Sequence, residues 1–236
     1  HKTMVEIIPA IIPKSFSHLK EKMSLVSELV PIVQIDVTDG IFVPEKSWPY
    51  VKNPDPDFTS ILKEENGFPF WETIDFEVDL MVSNPEQVWQ NWLTAGAKRV
   101  IIHAESGKNL KNLFETIKKR LPSEDSLLYT EVGVAINIDT PNEEIYPLLS
   151  SVDFVQFMGI AEIGYQGQPF DDRVIAKISD LRGKYPNATI SIDGGVNKDN
   201  ALRLTQAGAN RLVVGSAIFE SENISETLLD FQSLII

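Results

Sequence analysis

Residues 33–40 have the sequence VQIDVTDG, in which the apolar side chains of Val33, Ile35 and Val37 alternate with polar ones. An alternation with a period of two predicts a β-strand that has one apolar and one polar face. Taken alone, the stretch is typical of a half-exposed strand. Whether its polar side chains, Asp36 among them, face solvent or the protein interior depends on the segments around it.

The whole chain repeats this plan, since strand-like and helix-like segments alternate along 236 residues. The strand-like segments are residues 4–12, 33–40, 74–82, 97–105, 131–138, 152–160, 188–196 and 209–219. The helix-like segments are residues 15–30, 55–65, 84–96, 109–121, 142–149, 170–185, 198–208 and 224–235. Strict alternation predicts an all-parallel sheet, and eight units of this length predict a (β/α)₈ barrel of the α/β class.

A doubly wound open sheet is the alternative architecture. Such sheets usually carry a glycine-rich phosphate-binding turn after the first strand, whereas residues 9–16 here read PAIIPKSF. Because no linker or low-complexity segment divides the chain, we expect a single barrel domain over residues 4–236. Residues 1–3 are interpreted as a remnant of a cloning tag.

The chain is acidic, with 34 Asp and Glu against 21 Lys and Arg residues and a formal net charge of −13. This charge disfavours nucleic acids and anionic membranes as partners. No apolar run approaches the roughly 18 residues of a membrane span, and the lack of cysteine excludes disulfides. We therefore expect a globular, cytoplasmic protein without a secretion signal.

In a barrel, one face of each strand packs on the helices and the other points into the barrel, so neither is solvated. If the apolar residues of each strand meet the helices, the polar ones must point inward. The inward side chains expected near the carboxyl ends of the strands are Gln34, Asp36, Thr38, Asp79, Met81, His103 and Asp193.

Three of these side chains, Asp36, Asp79 and Asp193, are carboxylates that should converge at the carboxyl-terminal mouth, where such barrels have their active sites. An unpaired buried carboxylate is costly, and we find no Lys or Arg at inward positions near the mouth. Either a cation balances the charge or at least one carboxyl is protonated, with a raised pKa. Both states are typical of catalysis.

Glycine-rich loops follow the sixth, seventh and eighth strands, at residues 162–170, 194–195 and 215–216. In barrels of this kind, phosphate is bound by the loops after the last two strands and by a short helix, expected here from about Ala217. Three such loops on one side of the mouth predict a phosphate site. The ligand would be a phosphorylated small molecule whose reacting carbon reaches toward the aspartates.

Eight segments in this order resemble the signature segments of ribulose-phosphate 3-epimerases, over residues 7–219. They are IIPAIIPKSFSHL, VQIDVTDGIFVP, EVDLMVSNP, VIIHAES, GVAINIDTP, GYQGQPF, SIDGGVN and VVGSAIF. The resemblance implies a ribulose-phosphate-binding barrel that inverts C3 of a ketopentose phosphate. In that mechanism, one aspartate removes the C3 proton, a second delivers a proton to the opposite face, and a divalent metal polarises the ketone.

Carried over by position, the resemblance assigns the acid/base roles to Asp36 and Asp193. The methionines that flank the enediolate in this family match Met81 and Met158. The phosphate-binding residues that it implies are Gly164, Tyr165, Gln166, Gly167, Gly194, Gly195, Gly215 and Ser216.

The chain departs from the family pattern inside the barrel. Gln34 and Asp79 stand where the family has its two metal-binding histidines. In the pocket wall, Ala10 replaces a serine, Thr38 a methionine and Gln166 a glycine. We therefore expect a divergent member, whose substrate could be a related ketose phosphate.

The metal donors that remain are all oxygen donors, namely Gln34, Asp36, Asp79 and Asp193. Such a set favours Mg²⁺ or Mn²⁺ over Zn²⁺. The alternative is a site without metal, in which a protonated Asp79 donates to the substrate oxygen. His103 is a candidate ligand or proton donor, with a structural role as its alternative.

Two functions from different classes are consistent with these features. The first is an epimerase or isomerase that interconverts D-ribulose 5-phosphate and D-xylulose 5-phosphate or a related pair. The second is a phosphosugar-binding sensor or scaffold that has lost catalysis. The presence of both Asp36 and Asp193 favours the enzyme, since a binder gains little from two anions beside an anionic ligand.

The loop over residues 40–56, GIFVPEKSWPYVKNPDP, is longer and more aromatic than most connections between a strand and a helix. It could cover the mouth as a lid, form a contact in a homo-oligomer, or tuck Trp48 and Tyr50 onto the barrel. The sequence leaves these three alternatives open and does not fix the number of subunits.

Overall fold

The computed structural model describes residues 4–235 as a closed barrel of eight strands. Each strand pairs in parallel with its neighbours in sequence, and the eighth pairs with the first. The predicted (β/α)₈ barrel is thus confirmed, and the open doubly wound sheet is excluded. The tag remnant expected at residues 1–3 lies outside the described residues.

The strands β1 to β8 are Glu6–Ile11, Ile32–Thr38, Asp75–Met81, Arg99–His103, Glu131–Ile136, Phe154–Met158, Thr189–Asp193 and Arg211–Val214. The helices α1 to α8 are Phe16–Val26, Pro56–Leu62, Pro85–Thr94, Leu110–Arg120, Arg173–Lys184, Ala201–Ala207, Ser216–Phe219 and Ile224–Leu234. None of the helices within residues 4–235 is long and apolar enough to cross a bilayer.

The helix expected at residues 142–149 was wrong in type. This connection forms two 3₁₀ helices, Asn142–Glu144 and Tyr146–Ser151. Pro147 has no backbone N–H and cannot take part in a continuous α-helical ladder through the segment. The short helix expected from about Ala217 is present as α7.

The two faces of β2 separate as the barrel requires. Val33, Ile35 and Val37 belong to the large apolar core between the strands and the helices. On the opposite face, Gln34 and Asp36 are buried, at 0% and 5% exposure. The polar face of the opening stretch therefore lies inside the barrel and not in solvent.

The amino-terminal end of the barrel is closed by a network of charged side chains. Arg99 donates to Glu6, Glu77 and Glu131 at 3.0–3.1 Å, and Arg211 donates to Glu131 at 3.0 Å. Burial raises the pKa of Glu77 to about 7 although Arg99 opposes it. These cations lie at the far end from the mouth, so they leave the carboxylates there without a nearby guanidinium.

We predict that Arg99→Met lowers the free energy of unfolding by about 3–5 kcal/mol near neutral pH, because Glu77 would remain buried without its cation. Urea unfolding measures this change. The matched control is Arg203→Met, which removes an exposed ion pair with Asp172 and should cost less than about 1 kcal/mol. Equal losses in the two variants would contradict the assigned role of Arg99.

Candidate active site

Three carboxylates meet inside the mouth of the barrel. Asp36 and Asp79 are register partners on β2 and β3, and Asp193 ends β7 on the other side of the barrel. One carboxylate oxygen from each lies within 4.8 Å of the others. The structure thus brings together the three aspartates that the sequence placed at the mouth, in a cluster that could hold a metal ion.

The side-chain amide of Gln34 joins two of these carboxylates. Its Nε2 donates to Asp36 Oδ1 at 2.7 Å and to Asp193 Oδ2 at 2.8 Å. All three side chains are buried. Gln34 thus links the two residues that were predicted to act as acid and base.

The third carboxylate, Asp79, has its own partner. Asp79 Oδ1 lies 2.6 Å from His103 Nε2, and neither side chain is exposed to solvent. Gln156 Nε2 lies 3.4 Å from Asp79 Oδ2 and its Oε1 accepts from Ser191 Oγ. His103 is therefore the counterpart of Asp79 and lies below the cavity floor.

The burial of these groups changes their pKa values. Burial raises the pKa of Asp36 well above its usual range, and the charges of Asp193 and Asp79 raise it further. Burial and the charge of Asp79 raise the pKa of Asp193 to about 7. Burial alone would lower the pKa of His103, but the Asp79 carboxylate outweighs burial and raises it. Protonated forms of all three groups are therefore favoured near neutral pH.

A cavity of about 410 Å³ opens above the carboxylates. Asp36 and Asp193 line it, together with Ala10, Met81 and Met158 and all eight residues that the resemblance assigned to phosphate. Of the predicted pocket residues, Thr38 and His103 do not line it, and both are fully buried. The roles of all these residues stay predictions, but most of them share one cavity.

The phosphate end of the cavity is shaped by glycines. Gly195 has φ +70°, and a Cβ there would lie 2.7 Å from the backbone of Phe170, so only glycine fits. The side chain of Gln166 lies against Gly215 and donates to the Ala10 carbonyl oxygen at 2.9 Å. Gln166 thus fills space between the loops after β6 and β8, where the family pattern has only glycine.

Residues 39–48, which we call the cover loop, lie across one side of the mouth. Val43 is buried in an apolar cluster with Met81 and Met158, and the Phe42 ring is centred 5.4 Å from the His103 ring. Trp48 is 2% exposed and packs among aromatic side chains behind the barrel. The loop therefore covers the mouth and also tucks Trp48 onto the barrel.

Asp39 fastens the start of the cover loop. Its carboxylate accepts the N–H groups of Ile41 and Phe42, at 2.9 Å each, and both the N–H and the hydroxyl of Ser83, at 2.8 and 2.9 Å. Burial opposes ionisation, but these backbone bonds prevail and lower the pKa of Asp39. At the other end, the Trp48 N–H donates to the Pro13 carbonyl at 2.8 Å.

Two parts of the site escaped the sequence reasoning. Gln156 could have been found, because in the stretch VDFVQFMGI it has the same parity as Met158, which was assigned to the pocket. The link between Asp39 and Ser83 has no periodic signal, since it joins residues 44 positions apart in two loops.

Comparisons with known proteins agree with this geometry. A model of the ribulose-phosphate 3 epimerase family matches residues 6–219. The chloroplastic ribulose-5-phosphate-3-epimerase of Arabidopsis thaliana is 32% identical over 233 residues, which cover 96% of this chain and 76% of the relative. The ribulose-phosphate 3-epimerase of Bacillus subtilis is 29% identical over 223 residues, which cover 92% and 93% of the two chains.

Solved structures with a similar fold are more distant in sequence. A 3-hexulose-6-phosphate synthase has a TM-score of 0.69 at 17% identity, with 98% of this chain and 100% of that chain covered. KGPDC from Streptococcus mutans, in complex with a pentose 5-phosphate, has a TM-score of 0.66 at 13% identity, with 98% and 97% covered. At these identities the likeness establishes the barrel fold alone.

The raised pKa of Asp193 predicts a pH-dependent stability. Because the folded protein holds this proton more tightly than the unfolded chain, the contribution of Asp193 to stability is greatest below about pH 4 and is lost as the pH rises through about 7. We expect Asp193→Asn, whose amide oxygen still accepts from Gln34, to raise the free energy of unfolding at pH 8 by roughly 2–4 kcal/mol. The gain should nearly vanish at pH 4.

Urea unfolding at both pH values in the presence of a chelator tests this prediction. The control is Asp75→Asn, at an exposed carboxyl on the first residue of β3, which should change stability little at either pH. A variant Asp193→Asn no more stable than the original chain at pH 8 would contradict the prediction.

Proposed function

The chain belongs to the ribulose-phosphate 3-epimerase family, and we propose that it inverts C3 of a ketopentose phosphate by proton transfer between two aspartates. The substrate pair would be D-ribulose 5-phosphate and D-xylulose 5-phosphate or a closely related pair. The observation that carries the proposal is that Asp36 and Asp193 reach one cavity from two sides of the barrel, joined by a single amide.

In this mechanism, Asp36 takes the proton from C3 on one face of the substrate. The electron pair of the broken C–H bond forms a C2–C3 double bond, and the C2 carbonyl oxygen becomes the enediolate oxygen. Asp193 then delivers a proton to C3 on the opposite face, and the double bond reverts to the ketone. The reverse reaction exchanges the two roles, so the pair must hold one proton between them.

The environment of the two carboxyl groups suits this task. Efficient general acids and bases have pKa values near the working pH, and burial raises the pKa of Asp193 to about 7. Met81, Met158 and the covering Val43 form an apolar wall, which limits water near the reacting carbon. An apolar wall also strengthens the electrostatic interactions inside the site.

The phosphate would be bound by the glycine-rich loops after β6, β7 and β8, which together line one end of the cavity. Backbone N–H groups there can approach an anion without interference from side chains. A barrel of the same fold, KGPDC from Streptococcus mutans, has been solved in complex with a pentose 5-phosphate. Gln166, which fills space beside Gly215, would make the phosphate end narrower than glycine would.

The donor set at the mouth fits a hard divalent cation such as Mg²⁺ or Mn²⁺. Three carboxylate oxygens converge within 4.8 Å, and Gln34 Oε1 is buried with no hydrogen-bond partner among residues 4–235. Asp36, Asp79, Asp193 and the Gln34 carbonyl oxygen would hold the ion. When bound, such an ion polarises the ketone and stabilises negative charge on the substrate oxygens.

The central prediction concerns exchange of the C3 hydrogen. In D₂O, the protein should incorporate solvent deuterium at C3 of D-ribulose 5-phosphate or D-xylulose 5-phosphate, as measured by proton NMR. Asp36→Asn and Asp193→Asn should each reduce the rate by about 10²–10⁴-fold, because each removes one proton-transfer group. Asp75→Asn, far from the mouth, is the control and should retain the original rate.

Two results would contradict the proposal in different ways. Tight binding of ketose phosphates without exchange would favour a phosphosugar-binding sensor or scaffold. Exchange that survives both aspartate substitutions would place the acid and base elsewhere in the cavity.

A second prediction concerns the metal. Protein prepared without chelator should bind one Mg²⁺ or Mn²⁺ per chain, measured by elemental analysis and by titration of dialysed protein with Mn²⁺. Asp79→Asn should weaken Mn²⁺ binding by about tenfold or more, because it removes one anionic ligand. An absence of bound metal, together with exchange activity that a chelator does not affect, would contradict metal assistance.

A further inference from the structure

Gln34 occupies a position inside the barrel that no ordinary core residue needs. Its Nε2 donates to carboxylates of two strands that are not neighbours in the sheet, β2 and β7. The side chain is fully buried. A neutral amide thus lies between two groups that would otherwise repel each other once both are ionised.

The orientation of the amide follows from its partners. An NH₂ group has two hydrogens, and here one is available for each carboxylate. The reversed amide would place Oε1 against two acceptor oxygens, which is repulsive. In the observed orientation, Oε1 is buried and has no hydrogen-bond partner in the part of the chain that the structure describes. Two charge-assisted bonds are therefore made while the carbonyl oxygen is left unpaired.

An amide in this orientation competes with a cation. The hydrogens of Nε2 point at Asp36 Oδ1 and Asp193 Oδ2, two of the oxygens that a metal ion would need. If the amide turns over, these oxygens become free and Oε1 becomes a neutral ligand. The bridged amide and a cation bound by these oxygens are therefore alternative states of one site.

We infer that Gln34 takes the place of a cation between Asp36 and Asp193, so that the site is assembled without metal and admits one only when the amide turns over. Gln34 is thus a positioning residue that acts through the two aspartates. The inference rests on the proposed function only for the roles of these aspartates. Its consequence is that the amide weakens the affinity of the site for divalent cations.

The test is Mn²⁺ binding to dialysed protein without substrate, for the original chain and Gln34→Met. Methionine has a similar length but cannot donate to the carboxylates, and water can replace the lost carbonyl ligand. We expect Gln34→Met to bind Mn²⁺ about tenfold more tightly, the factor that corresponds to about 1.4 kcal/mol. Gln87→Met, at an exposed glutamine, is the matched control and should leave the affinity unchanged.

Weaker Mn²⁺ binding by Gln34→Met would show that Gln34 is simply a ligand, and unchanged binding would show that its amide does not compete; either result would overturn the inference. A second measurement uses the original chain, so it does not depend on the folding of a variant. The side-chain amide hydrogens of Gln34 should exchange slowly with solvent in metal-free protein, and their NMR signals should shift on addition of Mg²⁺. Signals that exchange rapidly or do not respond would also overturn it.

Both readouts are independent of catalysis. If deuterium exchange at C3 fails while Gln34→Met binds Mn²⁺ more tightly, the proposed function is wrong and the inference about Gln34 stands. The opposite pair of results would retain the epimerase and reject the role of the amide.

Discussion

The structure depends on one constraint: a closed barrel gives the polar face of a strand no access to bulk water. Every charged side chain on the inner face must then find a partner inside. The chain meets this constraint differently at the two ends. At the amino-terminal end, two arginines neutralise three glutamates. At the mouth, three aspartates face one histidine and one amide, which leaves the mouth more acidic.

This imbalance gives the mouth its chemistry. A fully neutralised cluster would have carboxyl groups of ordinary acidity, whereas Asp36 and Asp193 have raised pKa values because they are buried near other carboxylates. The two substitutions against the family pattern change the charge of the site, since Asp79 adds a carboxylate where an imidazole is expected. His103 opposes that added charge at 2.6 Å. The site thus differs from the family pattern in its ligands while it keeps its two candidate proton carriers.

Periodic patterns predicted the parts of the molecule that depend on parity and repetition. The alternation in VQIDVTDG, combined with closure, was sufficient to place Asp36 and Gln34 inside, and the same parity brought Asp79 and Asp193 to them. The pattern could not predict which donor each carboxylate would meet, because that depends on side-chain rotamers and distances across the barrel. The apolar spacing of residues 142–149 suggested an α-helix, but the proline there favours a tighter turn. The course of the cover loop depends on contacts with distant loops, which no local pattern contains.

The attachment of the cover loop has a consequence for the traffic of molecules through the mouth. One carboxylate, Asp39, ties the start of this loop to the next loop along the rim, and its lowered pKa keeps that tie intact across the ordinary range of pH. The other end is held to the first loop of the barrel, and Val43 in between is packed like a core residue. A segment fixed at both ends and at its centre behaves as a wall and not as a door. Ligands would then enter and leave past the loops that follow β6, β7 and β8, and the pace of a catalytic cycle would depend on release from those loops and not on the opening of a gate.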